Sequence, residues 1–155
     1  MYSVYGDVKE QLPSDLPAPK GKPVRTTSFI DANLMFCKAT GRSATGILHF
    51  VQATPIDWYS KRQSTVETAT YGSEFVAGRT ATDQVIDIWL TLRYMGAPLD
   101  GIAWMFGDNK GVVTSYKSVV TSSTVPSSML AKRHLALSYH RVREAIAAKM
   151  HYALR

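Results

Sequence analysis

Three carboxylates stand where predicted strands and a predicted helix begin or end, and together they could bind a divalent metal. Asp31 lies in or at the end of a predicted first strand, Glu74 near the start of a long predicted helix, and Asp108 at the end of a predicted fourth strand. If the first and fourth strands are neighbours, the three carboxylates meet at one edge of a sheet. Converging carboxylates repel one another, so they require protonation or a hard divalent cation such as Mg²⁺ or Mn²⁺. Two such ions about 4 Å apart can activate a water and stabilise a leaving oxygen, which is the chemistry of phosphodiester cleavage.

Each of these acids also has a purely structural interpretation. Asp31 could simply end a strand, and Glu74 could face solvent on a helix whose periodicity is approximate. Asp108 precedes Asn109, and an aspartate at such a place is typical of a helix N-cap. Residue spacing alone therefore leaves the catalytic interpretation open.

The long helix that carries Glu74 is predicted within residues 63–95. Its apolar residues recur at helical spacing and predict one buried stripe. The stripe consists of Ala77, Ala81, Val85, Ile88, Leu92 and Met95. Glu74 stands three residues before the first of them, so the pattern predicts a carboxylate on the buried side. Burial of that charge is costly unless a cation lies opposite it.

Both ends of this helix have sequence signals. Ser64 or Thr65 is a predicted N-cap, and Glu67 is placed to complete a capping box. Gly96, followed by Pro98, predicts where the helix ends.

The elements around the helix predict an α/β domain with a mixed sheet. Strands predicted at residues 26–31, 46–52 and 56–60 are joined by short turns, which favours an antiparallel meander. A fourth strand at residues 102–106 follows the long helix and is predicted to run parallel to its neighbour.

The ends of the chain and a short repeat complete this outline. Residues 1–24 contain four prolines and predict a linker, which leaves residues 25–155 as the domain. A tandem repeat at residues 110–123 predicts a helix, with a strand as the alternative because of its Val and Thr content. From about Ser128 onward, an apolar stripe predicts an amphipathic final helix.

Composition and charge narrow the class of protein and of partner. The net charge of +6 and the isoelectric point near 9.5 indicate a polyanionic partner. The single cysteine excludes an internal disulfide and favours an intracellular setting. No apolar run approaches the ~20 residues that a membrane-spanning helix needs.

Three stretches carry motifs that occur together in one known family. They are DANLMFCKATGRSATGILHFVQATPIDWYSKRQSTVETATYGSEFVAGRTATDQ, GDNKGVV and KRHLALSYHRVREAIAA. They resemble the ribonuclease H domain of copia-type retrotransposon Pol polyproteins, where this domain follows reverse transcriptase. The resemblance implies a ribonuclease-H-like α/β fold, cleavage of the RNA strand of RNA–DNA hybrids, and a hybrid as partner.

Carried over by position, the resemblance places the catalytic and metal-binding acids at Asp31 in FIDAN, Glu74 in GSEF and Asp108 in GDN. It implies Mg²⁺ or Mn²⁺ as cofactor. In the family a further strand and helix follow the KRH…YHRVRE helix, and that segment supplies a fourth metal-binding acid. This sequence predicts neither element, so we expect a sheet without its final strand and helix, and reduced activity.

Two further expectations follow from the missing segment. A protein partner is expected to cover the open sheet edge, and a non-catalytic scaffold or assembly subunit that keeps the fold is the competing interpretation.

Contacts to nucleic acid are predicted on the final helix, at Lys132, Arg133, His134, Arg141 and Arg143. His49 is interpreted as structural, and Trp58, Trp89 and Trp104 as core residues.

Overall fold

A five-stranded mixed sheet with helices packed against it forms the framework of the chain. The computed structural model describes residues 11–117 and 133–154. In chain order the elements are β1 (Thr26–Cys37), β2 (Arg42–Val51), β3 (Thr54–Arg62), α1 (Thr70–Tyr94), β4 (Ala103–Gly107), α2 (Lys110–Lys117), α3 (Arg133–Ala147) and β5 (His151–Leu154). Across these two ranges, no helix combines the length and the apolar character needed to cross a membrane.

The strand order is β3-β2-β1-β4-β5. β1 pairs antiparallel with β2, β2 antiparallel with β3, and β1 parallel with β4. The predicted meander and the predicted parallel fourth strand are therefore confirmed. Because β1 and β4 are neighbours, with Ile30 opposite Gly107, the residues that follow these two positions emerge side by side at one end of the sheet.

The fifth strand corrects the expectation that the final strand is missing. His151–Leu154 pairs parallel with β4, from Ala103 opposite His151 to Phe106 opposite Leu154. A strand of four residues is too short to show a period of two, and its pairing partner lies far away in sequence. For both reasons the sequence pattern did not reveal it.

Helix α1 begins later than predicted. Its N-cap is Ala69, in extended conformation and without a side-chain cap hydrogen bond, so the predicted cap at Ser64 or Thr65 is wrong. Glu67 completes no capping box and is instead buried in the segment before the helix. Buried hydrogen bonds made by Gln63, described below, hold this segment outside the helix.

The predicted end of α1 at Gly96 is confirmed. Gly96 adopts a φ of 74°, which a residue without Cβ tolerates. Its N–H donates to the Arg93 carbonyl at 2.9 Å, and the Ala97 N–H donates to the Leu92 carbonyl at 2.9 Å. This pair of hydrogen bonds is the Schellman motif, which satisfies the last carbonyls of a helix.

The first half of the predicted α1 stripe is buried against the sheet. Ala77, Ala81 and Val85 are buried, and the latter two pack with Ile47 and Met105. Further along, the buried position is Trp89 rather than Ile88, and Met95 is exposed. The stripe shifts because Trp89 fills the space above β1 and donates its indole N–H to Thr26 Oγ1 at 2.7 Å.

Of the three tryptophans predicted in the core, only Trp89 is buried. Trp58 is 76% exposed and Trp104 is also exposed, so their core assignment is wrong. Trp58 alternates with Tyr59, which packs toward α1, and therefore lies on the opposite face of the sheet.

His49 is structural, as predicted. The ring is buried between β1 and α1, where Nε2–H donates to Gln84 Oε1 at 3.1 Å and Nδ1 accepts from Ser28 Oγ at 2.7 Å. Burial lowers the pKa of His49 below its usual value, so the ring is held neutral.

A second core cluster joins α1, α2 and α3. Its buried residues are Phe75, Val112, Val113, Tyr139 and Val142. The first half of the repeat is helical, as α2, whereas residues 118–123 lie outside the described part of the chain. The predicted amphipathic final helix is confirmed over the described span of α3.

The end of the predicted linker contacts the end of α1 and the loop that follows it. The Lys20 N–H donates to the Gly96 carbonyl at 2.7 Å, and Val24 forms an isolated parallel bridge with Leu99. The proposed domain boundary at residue 25 stays a prediction.

Candidate metal centre

The three carboxylates singled out in the sequence converge in the structure. Each of Asp31, Glu74 and Asp108 offers an oxygen, and these oxygens all lie within 4.8 Å of one another. Asp31 and Asp108 are exposed, whereas Glu74 is only 6% exposed. The site is thus open to solvent on one side and closed by the fold on the other.

Strand pairing places the two aspartates. Asp31 lies within β1 and pairs with Gly46 of β2, so the alternative that it merely ends a strand is wrong. β4 ends at Gly107, opposite Ile30. Asp108 is the next residue, and its carboxylate therefore emerges beside that of Asp31.

Asn109, and not Asp108, caps helix α2. Asn109 Oδ1 accepts a hydrogen bond from the Val112 N–H at 3.3 Å, the contact expected of an N-cap residue. The competing assignment of Asp108 as the cap is therefore wrong, and its carboxylate faces the two other acids. Asparagine is a preferred N-cap residue, so the motif GDN itself contains the signal for this role.

Glu74 carries the strongest electrostatic perturbation of the three acids. The pKa of Glu74 is raised to about 7, chiefly by burial and then by the nearby charges of Asp108 and Asp31, against the opposing effect of a hydrogen bond to the Ala32 backbone. The apolar side chains of Ile30, Met105 and Val112 line the hollow beside it. A divalent cation among the three carboxylates would relieve both the burial and the repulsion.

The donor set fits a hard cation. Carboxylate oxygens are the ligands that Mg²⁺ and Mn²⁺ prefer, and the three oxygens are close enough to share one ion. Asp31, Glu74 and Asp108 are therefore the residues that would hold it.

Gln63 links the start of α1 to the sheet, a contact that the sequence did not reveal. Its buried side-chain amide Nε2 donates to Thr45 Oγ1 at 3.0 Å and to the Ser73 carbonyl at 2.8 Å. Thr45 pairs with Ala32 next to Asp31, and Ser73 precedes Glu74. Gln63 therefore ties the start of α1 to β2, the strand that pairs with β1 beside Asp31.

We expect Gln63→Leu to weaken metal binding about tenfold, because the loss of two buried hydrogen bonds, each worth about 1 kcal/mol, releases the start of α1. Titration with Mn²⁺, followed by calorimetry, measures the affinity. Ser64→Ala is the matched control, since Ser64 is the exposed neighbour. Equal affinities in the wild type and Gln63→Leu would show that Gln63 does not position Glu74.

One of the predicted nucleic-acid contacts on the final helix, Arg143, is buried in the structure. Arg143 is only 1% exposed, donates from Nη1 to the Tyr139 hydroxyl at 2.7 Å and places its guanidinium 4.8 Å from the Tyr139 ring centroid. It is a core residue, and its assignment to nucleic-acid binding is wrong. Arg143 lies one helical turn after the buried Tyr139 and therefore faces the core. The prediction considers only its charge and not its position on the helix.

The structure leaves the other predicted nucleic-acid contacts as predictions. Arg141 is partly exposed and donates from Nε to Asp83 at 2.9 Å, with Glu144 3.4 Å from its Nη1. Arg133 and His134 lie in the first turn of α3, and Lys132 lies outside the described residues.

Comparison with known proteins identifies the fold. No family model and no curated protein sequence matches this chain. Among solved structures, it is similar to RNase H1 from the halophilic archaeon Halobacterium salinarum, with a TM-score of 0.56, 12% identity, and coverage of 84% of this chain and 83% of that one.

Two further structures give the same result. The N-terminal RNase H domain of a Mycobacterium tuberculosis protein has a TM-score of 0.57 and 11% identity, with coverage of 84% of this chain and 86% of that one. LC11-RNase H1, solved in complex with an RNA/DNA hybrid, has a TM-score of 0.56 and 12% identity, with coverage of 84% and 82%. The strand order, the mixed pairing and these similarities together show that the chain has the ribonuclease H fold.

Proposed function

We propose that this chain is a metal-dependent nuclease that hydrolyses the RNA strand of RNA–DNA hybrids. The observation that carries the proposal is the convergence of Asp31, Glu74 and Asp108 within 4.8 Å at one end of a sheet with the ribonuclease H topology. A solved structure of the same fold is in complex with an RNA/DNA hybrid, which supports this class of substrate.

The three acids have distinct parts in the proposed reaction. Asp31 and Asp108 are exposed, so a phosphodiester can approach them from solvent. Glu74 closes the inner side of the site and, with its pKa raised to about 7, gives up its proton when a cation binds. Mg²⁺ or Mn²⁺, when bound, would supply polarisation of the phosphate and activation of a water. The carboxylates hold the negative charge that fixes the position of that cation.

The origin proposed for the chain is a copia-type retrotransposon Pol polyprotein, in which such a domain follows reverse transcriptase. The sequence motifs FIDAN, GSEF and GDN support this origin, because they contain the three acids in the family's order. Lys132, Arg133 and His134 stay proposed phosphate contacts, and Arg141 would join them by giving up its ion pair with Asp83.

One observation favours a second candidate, a non-catalytic scaffold or assembly subunit. The sheet face opposite α1 exposes large apolar side chains, namely Phe29, Leu48, Trp58 and Trp104. Exposed apolar surface of this kind marks interaction sites. A protein partner that covers this face is the corresponding proposal.

The test is cleavage of an RNA–DNA hybrid with the label on one strand at a time. We expect Mg²⁺ or Mn²⁺ to promote cleavage of the RNA strand only, and EDTA to abolish it. The same duplex with DNA in both strands is the control for specificity. A chain that binds Mn²⁺ but leaves the hybrid intact would contradict the nuclease and favour the scaffold.

A further inference from the structure

The hairpin between β1 and β2 ends in a distorted segment that pushes two large side chains into solvent. Pairing shifts between Asn33 and Cys37, where β1 has three intervening residues and β2 has only Ser43. Met35 adopts a φ of 51°, and its N–H donates to Ser43 Oγ at 3.3 Å. Such a backbone costs about 1 kcal/mol or more for a residue other than glycine. The backbone of this segment is thus strained at Met35. The side chains of Met35 and Phe36 are 52% and 60% exposed.

Four cations surround this bulge. They are Lys38, Arg42, Lys61 and Arg62, and all four are exposed. Arg62 Nη1 lies 3.8 Å from Cys37 Sγ, and the Lys61 ammonium lies 5.6 Å from the Tyr59 ring centroid. Within residues 11–117 and 133–154, none of the four has an ion pair with an acid. Lys61 shares the sheet face of Tyr59, which packs toward α1, so we name the other three cations, together with Met35 and Phe36, the hairpin surface.

Two surface arginines elsewhere in the described residues are neutralised. Arg25 forms an ion pair with Asp100 at 2.8 Å, and Arg141 forms one with Asp83 at 2.9 Å. The cations of the hairpin surface differ from these two arginines because no described acid forms an ion pair with them. Uncompensated cations placed together repel one another and create a positive potential that attracts polyanions.

The hairpin surface adjoins the metal centre along the sheet. Asp31 pairs with Gly46, which pairs with Ser60, and Arg62 stands two residues beyond Ser60 in the row of Ala44 and Asn33. Two residues of strand span about 7 Å, and the two strand spacings from β1 to β3 span about 10 Å. A chain of phosphates bound at these cations would therefore continue directly past the three carboxylates.

From this placement we propose that the hairpin surface binds the phosphate backbone of a nucleic acid and guides it to the acidic centre. Lys38, Arg42 and Arg62 contact phosphates, while Phe36 packs against a sugar or a base. The proposal deepens the proposed function by locating its substrate on the β1–β3 end of the sheet, and it rests on that function for the choice of an RNA–DNA hybrid.

Binding of a labelled hybrid, followed by fluorescence anisotropy in EDTA over a range of salt concentrations, tests the proposal without any cleavage. Arg42→Gln combined with Arg62→Gln is expected to weaken binding more than about tenfold and to lower the slope of log K against log salt by about 2. Lys20→Gln combined with Lys22→Gln is the matched control. It removes the same charge from exposed positions near the end of α1, and binding should change less than about twofold.

Two single variants protect the test against misfolding. Lys38→Gln, in the exposed turn between β1 and β2, should lower the salt slope by about 1. Phe36→Ala should weaken binding about fivefold with an unchanged salt slope, because an apolar contact releases no counterions. Circular dichroism confirms that each variant is folded.

Three outcomes would overturn the proposal. The two double variants could weaken binding equally, which would show an effect of net charge alone. The wild type could fail to bind the hybrid at low salt, or could bind anionic vesicles and not the hybrid. Because metal binding and cleavage are measured separately, loss of the hairpin surface as a binding site would leave the proposed nuclease standing, with its substrate on α3.

Discussion

Replacing Asp31 with asparagine is expected to abolish both metal binding and hydrolysis of the hybrid. Asp31 is one of three carboxylates whose oxygens lie within 4.8 Å of one another, and its neutral amide would leave two acids to hold a divalent ion. A cation present at about a hundred times its Kd stabilises the wild type by about 2.7 kcal/mol. This stabilisation raises the melting temperature of the wild type, and we expect the rise to vanish in Asp31→Asn. Cleavage should fall about a thousandfold or more, because loss of the ion removes several kcal/mol of transition-state stabilisation.

Asp87→Asn is the matched control for this experiment, because Asp87 is an exposed aspartate of α1 that is not among the three converging acids. It should keep the metal-dependent rise in melting temperature and the cleavage rate of the wild type. Retention of the metal shift by Asp31→Asn would contradict a shared site at the three acids. Loss of the metal shift in the control as well would point instead to an indirect effect of the substitutions on folding.

Replacing Glu74 with glutamine is expected to stabilise the protein at neutral and higher pH when no metal is present. The pKa of Glu74 rises from its ordinary value of 4.5 to about 7 in the folded state, chiefly because of burial and then because of Asp108 and Asp31. Between these two values the folded chain binds more protons than the unfolded chain, so the free energy of unfolding falls as pH increases. Glutamine remains neutral and escapes this loss.

The expected gain for Glu74→Gln is about 2 kcal/mol at about pH 8, after allowance for solvent screening, and close to zero below about pH 4.5. Urea denaturation at several pH values in EDTA measures it. Saturating Mn²⁺ should reverse the order of stability, because only the wild type retains all three ligands. Glu144→Gln is the control, and this partly exposed acid beside Arg141 should show no gain. A wild type that is more stable than Glu74→Gln at high pH without metal would contradict the perturbed carboxyl.

These two predictions depend on the same property of the site. A site that keeps three carboxylates together without a cation is under electrostatic stress, and removing one charge relieves it. Removal of one carboxylate should therefore stabilise the metal-free protein, while the same substitution should abolish its metal-dependent activity. Opposite effects on stability and on activity would thus distinguish a binding site from an accidental cluster of acids.

The sequence by itself determined the order of the described elements from β1 to α3, and it singled out the three acids that converge. Period-two and period-3.6 patterns are local, so they predicted the meander, the long helix and its end at Gly96, all of which the structure confirms. Motifs that resemble those of a known family singled out Asp31, Glu74 and Asp108, and the pairing of β1 with β4 brings them together. Each of these predictions needed only residues that are close in the chain, or one assumption about neighbouring strands.

Only the tertiary structure decided the details that depend on distant partners. Gln63 holds residues before α1 against Thr45 and Ser73, which delays the helix past its apparent cap. Strand β5 exists because β4 offers it a parallel edge. Arg143 is drawn into the core by Tyr139, whereas Trp58 is left on a sheet face that no described helix covers. In each case the free energy of burial or pairing depends on a surface built from other parts of the chain, and a local pattern contains no information about that surface.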